Sequence, residues 1–318
     1  MYINRDIDYL KYLKNMKVVI FGAGRQGQKT LLNLNKYDIK TTAFCDNDRN
    51  KQNQLIRGVK VISFEELKKV NDTDTMIVIS AFEREIKQQL FMNKIFNFIS
   101  ASQIDFGGGE EYYDEQYFQW QRELGIFGAK IKVDMFQPYI KKDMTVVEFG
   151  GGGGYLLEQI DAKEKYNIEI NDTAREAANA KCIKSVKNIA DIPDNFADII
   201  ISTSVLEHVE NPLGVLRELR EKLKEGGRIV FHVPNESCDK EYTRSEANNH
   251  LYTWNCLNIG NLFKAAGYFV YSVQKVQEVW PENYVEIAQE VSPELFHSIC
   301  SIGGKAFDEN RCIIVAYK

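Results

Sequence analysis

Glu207 and His208 stand side by side in Val205-Leu206-Glu207-His208-Val209, and His250 sits in a second stretch, Asn248-Asn249-His250-Leu251-Tyr252-Thr253-Trp254. Imidazole titrates closest to neutrality. A histidine beside a reacting hydroxyl can therefore take its proton, an effect worth roughly 10²–10⁴-fold in rate. His208 is the first candidate for such a base and His250 the second, with Glu207 placed to orient His208 or to hydrogen-bond a ligand. A role for His208 in fixing its own loop is the competing reading. The chain has four histidines. His232 lies inside an apolar run and reads as buried, and His297 has no motif around it. Glu207, His208 and His250 are also a conceivable divalent-metal set, but their spacing is too loose to assign an ion, and none is assigned.

A ligand for this chemistry is implied by backbone rather than by side chains. The run Glu148-Phe149-Gly150-Gly151-Gly152-Gly153-Gly154 directly follows the apolar stretch Met144 to Val147. Successive glycines are costly in element interiors, and they make sense where a chain must turn tightly and let a large ligand approach its backbone. A flexible linker would not begin on a β-branched strand and end in Tyr155-Leu156-Leu157, which reads as the apolar face of a helix. Glu169 follows about 20 residues beyond the turn, the position from which a carboxylate at the tip of the next strand accepts both hydroxyls of a ribose. A second turn, Gly22-Ala23-Gly24-Arg25-Gln26-Gly27, has the G-x-G-x-x-G form, with Asp46 and Asn47 at the end of the following strand. That pattern is weak by itself.

The elements that position these residues read as two doubly wound α/β halves. In the first, strands are expected at Lys17 to Phe21, Ile39 to Cys45, Val59 to Ile62, Met76 to Ser80 and Phe96 to Ile99. Helices are expected at Gln28 to Asn35, after the capping box Ser63-Phe64-Glu65-Glu66, and from Phe82 to Met92. Gly107-Gly108-Gly109 breaks the pattern and marks a boundary, giving a first domain over 1–105. An aromatic segment over 106–143, with Tyr113, Tyr117, Trp120 and Leu124 at helical spacing, serves as connector or lid. Tyr112 and Phe127 add to its aromatic character, and Tyr117 and Trp120 offer faces for a substrate ring. The third region, 144–318, repeats the strand-turn-helix logic at Thr145 to Phe149, Tyr155 to Ile160 and Tyr166 to Ile170. It continues with a strand Ala197 to Ser202, a helix capped by Asn211 and Pro212 that stops at Gly226-Gly227, and a strand Arg228 to Val233. A helix near Asn258 to Ala266 and strands Phe269 to Val276 and Cys312 to Ala316 close the chain.

From roughly Thr145 to Lys318 the motifs resemble those of class I S-adenosylmethionine-dependent methyltransferases. Val146-Val147-Glu148-Phe149 with its glycines is similar to the first motif of that family, and Ile168-Glu169-Ile170-Asn171 to its second-strand motif. Phe196-Ala197-Asp198-Ile199-Ile200-Ile201-Ser202, the Leu-Glu-His loop and Leu223-Lys224-Glu225-Gly226-Gly227-Arg228-Ile229-Val230 are similar to the subgroup that acts on small molecules. The resemblance implies a seven-stranded sheet with an antiparallel last strand. It implies S-adenosylmethionine held by Glu148, Gly150, Gly152, Gly154, Glu169, Asn171 and Ser204, with Ile189 as an apolar wall for adenine. Where relatives often carry an acid after the third strand, this chain has Ser185-Val186-Lys187-Asn188, which leaves the adenine contacts open. Tyr252 and Trp254 are stacking candidates for the acceptor. The first half resembles small Rossmann-like domains fused to sugar-modifying enzymes of bacterial polysaccharide pathways. Gly22, Gly24, Arg25 and Gly27 would then approach a diphosphate, with Asp46 or Asn47 on a ribose or base. A nucleotide, a nucleotide sugar, NAD or no ligand at all are alternatives for that half.

Composition narrows the partners. A net charge of −5 over 318 residues, without a dense basic stripe, argues against a nucleic-acid substrate. No stretch is apolar enough to span a membrane, and the charged start is unlike a signal peptide, so a cytoplasmic protein is expected. The six cysteines show no paired short spacing and read as reduced core residues. The expected function is O-methylation of a small molecule such as a nucleotide-linked sugar or glycan precursor. A catalytically idle two-ligand scaffold, an oxidoreductase activity in the first half, and assembly as a homo-oligomer stay open.

Overall fold

Short β-branched runs buried on both faces must be covered by helices on each side, and that requirement shapes both halves of the chain. The structure is a computed structural model that describes residues 9–104, 115–236, 250–281, 284–306 and 310–318. These divide into two compact units, 9–104 and the remainder. Glycines 107–109, Tyr112 and Tyr113 lie outside the described residues.

The first unit runs α1 (Tyr9–Leu13), β1 (Lys17–Phe21), α2 (Arg25–Lys36), β2 (Thr41–Cys45), β3 (Leu55–Ile56), β4 (Val59–Ile62), α3 (Phe64–Val70), β5 (Thr75–Ile79), α4 (Glu83–Met92) and β6 (Phe98–Ser100). Its sheet has the order β3-β4-β2-β1-β5-β6, parallel except for β3, a short antiparallel partner of β4 that the sequence pattern did not reveal. Alternation along β1 sends Val18 and Ile20 to one core and Val19 and Phe21 to the other. The Ser63–Glu66 capping box forms as expected. α2 begins at Arg25, earlier than the hydrophobic periodicity indicated, because Gly24 takes the cap position with extended backbone.

The second unit opens with α5 (Glu115–Phe136), then β7 (Thr145–Phe149), α6 (Tyr155–Gln159), β8 (Glu164–Ile168), α7 (Asp172–Asn179), β9 (Lys184–Val186) and β10 (Ala197–Thr203). It continues with α8 (Pro212–Lys222), β11 (Leu223–Asn235), α9 (Cys256–Ala265), β12 (Phe269–Gln277), α10 (Tyr284–Glu290), α11 (Pro293–Ala306) and β13 (Asn310–Tyr317). The seven strands are ordered β12-β13-β11-β10-β7-β8-β9, and β13 runs antiparallel to both neighbours. This is the sheet the sequence led us to expect.

One helix end differs. α8 stops at Lys222 rather than at Gly226-Gly227, since Leu223 already pairs with Ala197 and the two glycines form an irregular step inside β11, with Gly226 at φ 72°. α10 and α11, absent from the sequence reading, join an aromatic cluster in which Phe127 of α5 lies 5.0 Å from Trp280, 4.7 Å from Tyr284 and 5.7 Å from Phe296.

The segment expected as connector or lid is therefore core on its C-terminal side. Ala129 and Phe136 pack with Val146, Leu156, Leu157 and Ile199 on one face of the sheet. Because Phe136 is fully buried, Phe136→Ala is expected to lower the stability of this unit by about 3–5 kcal/mol. Denaturant unfolding followed by tryptophan fluorescence reads it, since Trp120, Trp254 and Trp280 all belong to the second unit. A loss below about 1 kcal/mol would contradict this packing.

Candidate active site

Two loops leave the carboxyl ends of neighbouring parallel strands β7 and β10, the edge at which open α/β sheets bind ligands. After β7 the chain turns through Gly150, Gly152 and Gly154 at φ 72°, 52° and 72°, left-handed backbone that favours glycine. Space distinguishes the three. A side chain at Gly150 would meet Val205, and one at Gly154 would meet Ile183 and Ala178, whereas nothing lies within 4 Å of the corresponding point at Gly152. Gly150 and Gly154 thus allow the turn to pack on its own protein, and Gly152 presents open backbone.

The turn is held from β8. Asn167, fully buried, accepts from the Gly151 amide at 3.0 Å and donates to the Gly152 carbonyl at 2.9 Å. Glu169 accepts from the Gly152 amide at 2.9 Å through one oxygen and from the Asn171 amide at 2.9 Å through the other. Burial raises the Glu169 carboxyl pKa, while these amides act to lower it. A carboxylate oxygen accepts more than one hydrogen bond, so both oxygens keep capacity for hydroxyl donors. The Asn171 side chain is committed to capping α7 through Ala174. Ile189 is buried among core residues of the sheet.

Glu148, at the end of β7, is almost completely buried, and one of its oxygens has no hydrogen-bond partner. Burial first, and the neighbouring Glu169 second, push its carboxyl up to about 8. Lys132 of α5 is a residue the sequence did not flag. Its ammonium donates to Thr203 Oγ1 at 3.1 Å, and that hydroxyl lies 3.2 Å from His232 Nδ1. Burial lowers the Lys132 pKa against the opposing pull of Glu278, Glu207 and Glu148. His232 is buried inside β11, as expected, and burial pushes its pKa well below the usual imidazole value.

The loop after β10 enters through Ser204, whose φ is 56° and whose amide donates to the His232 carbonyl. A single 3₁₀ turn, Leu206–His208, follows. Glu207 is 0% exposed and neither carboxylate oxygen has a hydrogen-bond partner at ordinary geometry. Burial pushes it up to about 8, opposed first by its own backbone N–H and then by Arg311 and Lys132. His208 Nε2 and His250 Nε2 each lie 3.9 Å from Glu207 Oε1, and the two imidazole rings are 4.9 Å apart. His250 Nδ1 lies 3.0 Å from Glu236 Oε2. The amides of Leu251 and Tyr252 both donate to the Glu207 carbonyl, at 2.8 and 3.2 Å, which fastens the second loop to the first.

The candidate stacking residues separate into two groups. Trp254 is buried in the main core and stacks on Tyr252 at 5.3 Å, so it supports the loop rather than offering a free face. Tyr252 is 37% exposed and its hydroxyl donates to the Glu210 carbonyl at 2.9 Å. Tyr117 and Trp120 belong to α5, but their side chains lie outside the described residues, as do Asn248 and Asn249.

In the first unit the same device recurs, and its acid likewise holds two backbone amides. Asp46 accepts from the Ala23 amide at 2.8 Å and from the Asp48 amide at 2.9 Å, and Lys51 stands 3.6 Å away. Asn47 exchanges hydrogen bonds with Gln89 at 2.8 and 3.2 Å. Gly27 packs so closely on the Gly22 carbonyl that no side chain fits there, while Gly24 faces open space just before Arg25.

Glu148 gives the folded chain a pH-dependent stability. Its carboxyl titrates at about 8 in the folded chain against 4.5 without these surroundings, so the folded state retains a proton that the unfolded state has lost. Its contribution to stability therefore falls as pH rises from 4.5 to about 8 and levels off above. Glu148→Gln should flatten the fall of the unfolding midpoint across that window. An unchanged slope would show that Glu148 is not held protonated.

Comparison with known proteins places this unit. Residues 129–273 match a family model described as a methyltransferase domain, and residues 14–97 match one described as C2185-like, N-terminal. A ubiquinone biosynthesis O-methyltransferase of Nitrosomonas europaea is 26% identical over 107 residues, 30% of this chain and 46% of that protein. An uncharacterized protein of Methanocaldococcus jannaschii is 29% identical over 128 residues, 38% of this chain and 58% of its relative. The chain thus spans about half the length of the curated relatives it matches. Among solved structures, a SAM dependent methyltransferase from Archaeoglobus fulgidus is similar at 20% identity and a TM-score of 0.45, covering 64% of this chain and 99% of that one. The family match coincides with the glycine turn, Glu169 and the Leu-Glu-His loop, so residues 129–273 are similar to a methyltransferase domain.

Proposed function

We propose that the chain transfers a methyl group from S-adenosylmethionine to a hydroxyl oxygen of a small molecule. The observation that carries this reading is the meeting of two loops at one sheet edge. One exposes the Gly152 backbone under the grip of Glu169, and the other presents Glu207 and His208, with His250 brought beside them from the stretch before α9. Val205 of the second loop fills the space beside Gly150 of the first, so the two are in contact.

The residues present fit the donor. Open space at Gly152 admits a ligand against the main chain, and Glu169 has acceptor capacity for two ribose hydroxyls. Glu148 leaves a buried oxygen without a partner behind the turn, a group that favours a cationic or hydrogen-bonding neighbour. When bound, S-adenosylmethionine supplies a methyl group on a positively charged sulfur, so that the S–C bond breaks as the O–C bond forms and the hydroxyl proton is released.

The chain's own residues then do three things. Glu169 and the glycine turn fix the donor, the packed loop after β10 positions the acceptor, and the cluster of Glu207, His208 and His250 acts on the acceptor hydroxyl. Positioning supplies most of the rate in a displacement of this kind. Oxygen as the methylated atom is supported by two histidines in reach of the same edge and by relatives named as O-methyltransferases. The narrower acceptor, a sugar hydroxyl on a nucleotide or glycan precursor, rests on the resemblance of the first half alone. In that half Asp46 accepts from two backbone amides and Asn47 pairs with Gln89.

His208→Ala is expected to lower turnover at least a hundredfold while equilibrium dialysis finds S-adenosylmethionine affinity within about twofold of the parent. Turnover is read as labelled methyl incorporated into hydroxylated acceptors. Unchanged turnover would remove His208 from the reaction.

A further inference from the structure

The Glu207 side chain lacks the partner that its burial calls for. A fully buried carboxylate normally receives hydrogen bonds, yet neither of its oxygens meets a donor at ordinary geometry. What faces it instead is a pair of imidazole nitrogens. His208 Nε2 and His250 Nε2 each stand 3.9 Å from the same oxygen, too far for a hydrogen bond, and one ligand atom from each of the three residues lies within 4.8 Å of the others. The space between them is bounded by one carboxylate oxygen and two imidazole nitrogens.

The surroundings are built to hold that geometry. His250 Nδ1 lies 3.0 Å from Glu236 Oε2, so the carboxylate orients the ring with its other nitrogen, Nε2, on the Glu207 side, 3.9 Å from Glu207 Oε1. A carboxylate behind a histidine whose other nitrogen faces a shared centre is the arrangement that orients metal-ligating imidazoles. The paired amides of Leu251 and Tyr252 on the Glu207 carbonyl hold the two loops together from the backbone side. Nothing in this local design is needed if His208 and His250 merely shield an acid.

We propose that Glu207, His208 and His250 are the three protein ligands of a divalent cation of the zinc class, with a remaining position open toward the acceptor oxygen. The site deepens the methyl-transfer reading above and rests on it for its role, though not for its existence. Two imidazoles and one carboxylate suit a borderline transition ion better than magnesium or calcium, which prefer all-oxygen sets. Bonds of about 2.1 Å in a tetrahedral site keep ligand atoms about 3.4 Å apart. The imidazoles therefore need to approach Glu207 by about 0.5 Å, and the widest separation in the set, up to 4.8 Å, must close by up to about 1.4 Å, which side-chain rotations supply.

The test uses the full chain stripped of metal and titrated with Co²⁺, whose visible absorption reports tetrahedral ligation. One saturable equivalent, displaced by Zn²⁺, is expected, and it should be lost in both His208→Ala and His250→Ala. Glu236→Gln keeps all three ligands and should weaken the ion by roughly 10–100-fold, which a site made of stray surface groups would not show. Cys256 and Cys312, whose sulfurs are 3.6 Å apart, would announce themselves by thiolate charge-transfer bands, and binding that shows those bands and survives both histidine substitutions would overturn the site. S-adenosylmethionine binding by the same samples without saturable Co²⁺ or Zn²⁺ binding would also overturn it. Histidine-dependent Co²⁺ binding in a chain that fails to bind S-adenosylmethionine would support the ion site and sink the donor assignment instead.

Discussion

The second unit depends on how its glycine turn is tied to the neighbouring strand. Left-handed backbone at three positions is accessible to glycine, but accessibility does not select one path, and a run of five glycines has many. Asn167 and Glu169, both from the β8 side, select it by fixing the amides of Gly151 and Gly152 and the Gly152 carbonyl. The loss of chain entropy is thereby offset by buried hydrogen bonds, and the one glycine left facing open space is the one gripped by the acid. Everything downstream follows from that path. Val205 can lie against Gly150 only because the turn is fixed, and the loop of Glu207 and His208 is entered through Val205.

A second constraint is electrostatic. Glu148 and Glu207 are both desolvated at the same sheet edge, and Lys132 is the cation whose charge acts on both. Burial alone would drive both acids to the neutral form, and it raises them to about 8 rather than further because backbone N–H groups first, and positive neighbours second, oppose it. A site with this balance favours a ligand that brings positive charge. A sulfonium and a divalent ion both do so. The first unit repeats the arrangement: Asp46 stands at an equivalent strand tip and accepts from two backbone amides as Glu169 does, with Lys51 3.6 Å away.

Local signals carried most of the fold. The glycine run, the Asn211 cap with Pro212 behind it, and the Ser63–Glu66 box each act within a few residues, and each formed where its residues stood. The β8 and β10 strands followed from apolar runs between polar turns, offset by two residues at most. What was hidden was non-local. Lys132 reaches the site from a helix whose residues carry no motif, Glu236 matters only because the chain brings it behind His250, and α10 and α11 are defined by aromatic contacts to Phe127. Asn167 left a trace, a polar residue at an inward position of a strand, which its neighbours Tyr166 and Ile168 could have exposed. Trp254 misled in the opposite direction, since aromatic residues near a site are more often part of the core, and this one is 6% exposed.

If the reading proposed above is right, S-adenosylmethionine lies in the turn held by Glu169. Calorimetric titration of the full chain with S-adenosylmethionine, beside the same titration of Glu169→Ala, tests it most directly. Saturable one-to-one binding by the parent chain and at least tenfold weaker binding by the variant are expected, with both proteins folded by circular dichroism. No binding by the parent, or equal binding by the two, would contradict it.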